Sequence, residues 1–327
     1  MIRRFILVIG VMVSLMVLPG ITLARNTTGC FLAGLGEVIF PGIGYMFLGD
    51  WDKMLIMGGL RWGAINKVIT YSDSPDYQDN ADQIYLTSTA EDGTEYTDIF
   101  LSRETFYTDV YSSIYNNLTF ASVYDLYDKG CEENNETYGL MFSSLQFWHY
   151  VAEWTFWLPI AANVASTSPG TNVTYHIDED LTKNEMRDWS FVQYQLVGVG
   201  EEMLFRGVIQ RGLFNGFSSF LSKGVARWSS ILLGSAIFGA AHSGEGFTAN
   251  TQTAFLYGVY LGWVYHPAEG DFDLKQAIAI HSWWDTLITY RLLNDAEFVE
   301  RNNGETAQTY QTTSARVIPL FAVSMKF

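Results

Sequence analysis

The sequence predicts an all-α, multi-pass membrane helical bundle with a small acidic extramembrane region after the first membrane hairpin. Three observations carry that expectation. Hydrophobic residues make up 48% of the 327-residue chain. They fall in blocks, several near the length that crosses hydrocarbon as a helix. Charge collects between the blocks: residues 71–140 hold fifteen Asp or Glu against only Arg103 and Lys129, within a net charge of −16. No barrel-like alternation appears, so backbone groups facing lipid must be satisfied within helices.

Each segment follows from its composition. Residues 1–24 read as a signal peptide or, alternatively, an uncleaved first membrane helix. Arg3 and Arg4 precede an apolar run, Pro19-Gly20 breaks it, and Thr22-Leu23-Ala24 offers small residues for cleavage. Residues 25–70 read as a membrane hairpin around Gly49-Asp50-Trp51-Asp52, its first arm kinked at Pro41-Gly42. Residues 71–139 read as the acidic extramembrane segment, with short helices or strands. Cys30 and Cys131 lie at the two ends of the N-terminal region, as one disulfide or as two separate thiols. From 140 to 327, apolar blocks recur at 140–166, 189–212, 228–243, 250–266, 273–293 and 315–327. Tryptophans sit towards block ends, as interfacial aromatics do. Gly234, Ser235 and Gly239, then Gly258 and Gly262, give two helices close-packing faces. The lipid bilayer is the partner this pattern implies, and the acidic balance argues against nucleic acid.

Three polar motifs interrupt the apolar blocks. Gly200-Glu201-Glu202-Met203-Leu204-Phe205-Arg206-Gly207 puts two adjacent carboxylates and a guanidinium in an apolar setting. Such charges are costly in a membrane and usually functional. Glu202 and Arg206 are four apart, so on a helix they can pair. Glu201 lies about 100° away around the axis and need not share that partner. His242 closes the apolar run of the second motif, beginning at Phe238. His281 and Asp285 share one helix face, and an Asp–His hydrogen bond there would orient the imidazole. A structural ion pair and a packed His–Asp pair are the bland alternatives. The combined set of carboxylates and imidazoles can activate water against an amide.

In order and spacing, these motifs resemble the CPBP or Abi family of intramembrane proteases, which includes the endopeptidases that trim prenylated CaaX proteins. The family signatures Glu-Glu-x-x-x-Arg, Phe-x-x-x-His and His-x-x-x-Asn/Asp correspond to Glu201-Glu202…Arg206, Phe238…His242 and His281…Asp285. The resemblance spans residues 189–293, within an expected protease domain at 140–327. It implies an endopeptidase cutting a peptide or protein near or within the membrane. Glu201 would activate the water, His242 would assist, and Glu202 with Arg206 would hold the geometry. His281 and Asp285 would stabilise the oxyanion, although an ionised Asp285 only accepts hydrogen bonds where Asn would donate. Glu201, His242, His281 and Asp285 are also candidate ligands for a divalent metal such as zinc; the glutamate mechanism needs none. The alternative function is a non-catalytic membrane scaffold or bacteriocin-immunity-type protein. The signal and the acidic exported segment point to a bacterial inner membrane.

Overall fold

The first arm of the chain cannot run straight through Pro41-Gly42, and the structure turns there. In this computed structural model, residues 27–132, 137–165, 171–242 and 249–301 are described. Helix α1 (Thr27–Ile39) stops before Pro41, and Gly42, at φ +90°, opens the short helix α2 (Ile43–Leu48). That left-handed backbone suits glycine, and a Cβ at Gly42 would stand 3.4 Å from the Cα of Gly58 on the returning arm. The buried Glu37 carboxylate accepts from the amides of Gly42 (2.8 Å) and Gly44 (2.9 Å) and pairs with buried Arg61. One carboxylate thereby satisfies the opening amides of α2 and neutralises a guanidinium from α3 (Gly59–Ser72). A π-helical stretch, Met54–Gly58, leads into α3.

Residues 71–139, read as an extramembrane segment, divide into two parts. The first forms the hairpin β1 (Tyr85–Thr89) and β2 (Glu95–Leu101). The second is α4 (Arg103–Glu132), which packs against α1, α3 and α6 (Lys183–Glu202) rather than standing apart. Leu118, Ala121 and Tyr124 of α4 share one core with Ala33, Met57, Val199 and Ala277. Its acidic character is absorbed internally at Asp125, which meets Lys53 at 2.5 Å and accepts from Thr137, all three buried.

The all-α expectation is corrected by a four-stranded sheet in the order β1-β2-β3-β4. β1 and β2 are antiparallel; β2 pairs in parallel with β3 (Val173–Ile177), and β3 with β4 (Glu297–Glu300). Parallel partners need long crossovers, so they leave no hairpin signature in sequence. Here α4 follows β2, α6 follows β3, and β4 follows α10 (Leu274–Asp295). The sheet therefore caps the bundle where α4 and α6 begin and α10 ends. Ile99, Leu101, Tyr175 and Ile177 bury against Tyr107, Met186 and Leu293 at those helix ends.

The rest is helical. After short helical turns at Thr137–Met141 and Ser143–His149 come α5 (Trp154–Ala165), α6, α7 (Arg211–Ser218), α8 (Lys223–Ala241), α9 (Ala249–Tyr265) and α10. Between α6 and α7 the chain stays helical but π-wound over Met203–Gln210. Among the described residues, one helix, α8, is long and apolar enough to cross a membrane. The expected spans at 140–166 and 250–266 are shorter as built, at twelve residues in α5 and seventeen in α9. The expected segments 1–24 and 315–327 and the side chain of Cys131 lie outside the described residues; Cys30 is buried. Large apolar side chains including Phe31, Ile39, Leu55, Trp154, Leu233 and Leu256 face outward.

Candidate active site

Small residues bring the motif-bearing helices within reach of one another. A Cβ at Gly198 would stand 2.6 Å from the backbone nitrogen of Ser282, so α6 and α10 touch backbone to backbone. Gln195 then donates to Thr286 Oγ1 (3.0 Å) and fixes the register between the two helices. On the opposite face Gly200 lies against α4, where a Cβ would meet the Asn117 carbonyl oxygen at 2.6 Å. Glu201 and Glu202 therefore sit at the buried end of α6, next to His281. The following π-helical stretch carries Arg206, and such stretches recur at functional sites.

Glu202 is fully buried and spans two elements. Its Oε2 takes Arg206 Nε at 2.9 Å, and its Oε1 takes His281 Nδ1 at 2.8 Å. Because a carboxylate only accepts, His281 Nδ1 carries the hydrogen. The Arg206 guanidinium also lies 5.0 Å from the Phe238 ring centre. His281 Nε2 is 3.4 Å from Asp285 Oδ2 and 3.9 Å from Glu201 Oε2.

Phe238 and His242 come from the end of α8. His242 Nδ1 donates to the Phe238 carbonyl at 2.8 Å, which leaves its Nε2 directed at Glu201 Oε2, 3.7 Å away. Phe238 packs against the rings of His242 (4.3 Å) and His281 (6.1 Å). Glu201 Oε2 is buried and has no hydrogen-bond partner among the described residues. Two imidazole nitrogens just beyond direct hydrogen-bonding distance surround it. Polar gaps of that width are where a bridging water is to be sought.

All six residues singled out by sequence, Glu201, Glu202, Arg206, His242, His281 and Asp285, thus meet in one place. Among the described residues no three His, Cys, Asp or Glu side chains are arranged to hold a metal ion. His281 Nδ1 and His242 Nδ1 are committed to Glu202 and to the Phe238 carbonyl. One neighbour escaped the sequence reading. Tyr257 of α9 is buried, stands edge-on to His281 (5.6 Å) and stacks on Trp284 (4.1 Å). It lies in an aromatic-rich helix where a single tyrosine carries no distinguishing spacing.

A family model described as "Type II CAAX prenyl endopeptidase Rce1-like" matches residues 188–287, a little under a third of the chain. The match contains all six residues. No curated protein and no solved structure matches the chain. Residues 188–287 of this chain are thus similar to the Rce1-like type II CAAX prenyl endopeptidases.

Proposed function

We propose that this chain is an intramembrane endopeptidase in which Glu201 activates the attacking water. The observation that carries the reading is the Glu201 carboxylate oxygen, buried, without a hydrogen-bond partner among the described residues, and set between His242 Nε2 at 3.7 Å and His281 Nε2 at 3.9 Å. A buried acceptor in that position is built to receive a proton from water. The water oxygen forms a bond to the scissile carbonyl carbon while its proton passes to Glu201. The carbonyl π pair moves onto oxygen, giving a tetrahedral oxyanion. On collapse the C–N bond breaks, and the departing nitrogen takes the proton back from Glu201.

His242 assists by orienting the water through its bare Nε2. Glu202 and Arg206 fix His281 so that its other nitrogen faces the reacting atoms beside Asp285. The substrate class is a peptide or protein whose bond lies near or within the bilayer. The outward-facing apolar side chains of α1, α5, α8 and α9 support a multi-pass setting, for which we propose a bacterial inner membrane. A non-catalytic scaffold would account for the Glu202–Arg206–His281 network but not for a buried carboxylate oxygen left without a partner.

The test compares peptides in membrane fractions of cells producing the wild-type chain or Glu201→Gln at equal abundance. The reading expects cleavage products in the first that are absent from the second. Identical peptide populations would contradict it.

A further inference from the structure

Two buried polar atoms without hydrogen-bond partners among the described residues adjoin His281, and they are of opposite kind; Arg206 Nη1 and Nη2, beside Glu202 and Phe238, are also without one. Glu201 Oε2 is an acceptor; the Tyr257 hydroxyl, on a residue 8% exposed, is a donor. Both adjoin His281, whose Nε2 lies 3.9 Å from the Glu201 oxygen and whose ring meets the Tyr257 ring at 5.6 Å and 86°. Leaving a hydroxyl unpaired in such a place is costly unless a ligand satisfies it.

Hydrolysis needs both kinds of group: an acceptor for the proton of water and donors for the oxyanion. Glu201, Glu202 and Asp285 can only accept when ionised. His281 Nδ1 is committed to Glu202, and Asp285 competes for its Nε2 at 3.4 Å. Neutral His242 has its hydrogen on Nδ1, bonded to the Phe238 carbonyl. Arg206 keeps two Nη groups without a hydrogen-bond partner among the described residues, but its Nε binds the Glu202 oxygen opposite the one that meets His281, and its guanidinium lies over Phe238. Of the donors without a hydrogen-bond partner among the described residues, the Tyr257 O–H is the one whose ring lies against His281.

We propose that Tyr257 donates a hydrogen bond to the tetrahedral oxyanion, supplying what a carboxylate at position 285 cannot. No proton is transferred: the carbonyl oxygen gains the π pair, the O–H of Tyr257 stays intact, and the bond strengthens as charge develops. Stacking on Trp284 at 4.1 Å and edge contact with His281 hold the ring, so the hydroxyl is positioned before substrate arrives. The inference rests on Glu201 acting as the base.

The experiment uses the full chain in proteoliposomes with a farnesylated CAAX-type peptide and compares wild type, Glu201→Gln, Tyr257→Phe, Asp285→Asn and the last two combined. Phe keeps both ring contacts and removes only the hydroxyl. Tyr257→Phe is expected to lower kcat about 10²–10³-fold with KM within a few-fold and thermal stability unchanged. Asp285→Asn alone should lower turnover modestly. In the Tyr257→Phe background it should raise turnover at least about tenfold, because the amide can donate. A purely structural role for Tyr257 would not produce that reversal of sign. Wild-type turnover by Tyr257→Phe with Glu201→Gln inactive would overturn this inference and leave the glutamate reading intact. Turnover by Glu201→Gln equal to wild type would overturn the glutamate reading and the inference with it.

Discussion

His281 Nδ1 lies 2.8 Å from Glu202 Oε1, so the last turn of α6 and the middle of α10 are joined by a buried imidazole–carboxylate contact. The second oxygen of the same carboxylate binds Arg206. Its neighbour in sequence, Glu201, has an oxygen with no hydrogen-bond partner among the described residues. Two adjacent glutamates therefore carry different duties: Glu202 holds the bundle together, and Glu201 is left available.

Glu202→Gln should be a folding defect first. The substitution strands the fully buried Arg206 guanidinium without its anion and weakens the anchor of His281. Breaking a buried pair from one side costs about 3–5 kcal/mol. Thermal unfolding in detergent should show a loss of that order. A melting curve matching wild type would mean that Glu202 is not the clasp described.

Close approach of α6 and α10 makes Gly198 a sensitive position. Alanine there would push against the Ser282 backbone and displace the adjacent His281. Overpacking costs about 1–3 kcal/mol, and activity should fall further than stability. Gly212, in α7, has nothing within 4 Å of its notional Cβ, so Gly212→Ala should stabilise by about 0.5–1 kcal/mol through helix propensity alone. Equal effects at the two sites would argue against the backbone contact.

His266 offers a pH test beyond the end of α9. Its ring is buried between Phe214 and Phe272; burial, and secondarily the charge of Arg227, push its pKa down to about 4 from 6.5. The fold thus favours the neutral ring. Its contribution is complete above pH 6.5 and is lost as pH falls towards 4, on the order of 3 kcal/mol in all. His266→Gln should flatten stability across that window. An unchanged acid limb would show that His266 is not responsible.

The site was legible in sequence because its chemistry is short-range. Glu202–Arg206, Phe238–His242 and His281–Asp285 are each separated by one helical turn, and the structure keeps all three relationships. The sheet was not legible. β3 and β4 pair through crossovers containing whole helices, and each is only four or five residues of mixed character. Helix α4 was obscured for another reason: its polar residues are paired inside. Asp125 meets Lys53, and Asn117 and Thr119 bond back to their own helix through Ser113 and Tyr115. Composition averaged over 71–139 reads these as solvated. Tyr257 escaped because its place beside His281 depends on packing against α10, which no spacing along α9 reveals.

The most direct test is to purify Glu201→Gln and wild type together and measure both melting temperature and peptide cleavage. Gln keeps the volume and removes only the ability to take a proton from water. Because the Glu201 Oε2 has no hydrogen bond to lose among the described residues, the expected result is an unchanged melting temperature with cleavage abolished. A variant that still cleaves at the wild-type rate would contradict Glu201 as the base and, with it, the mechanism.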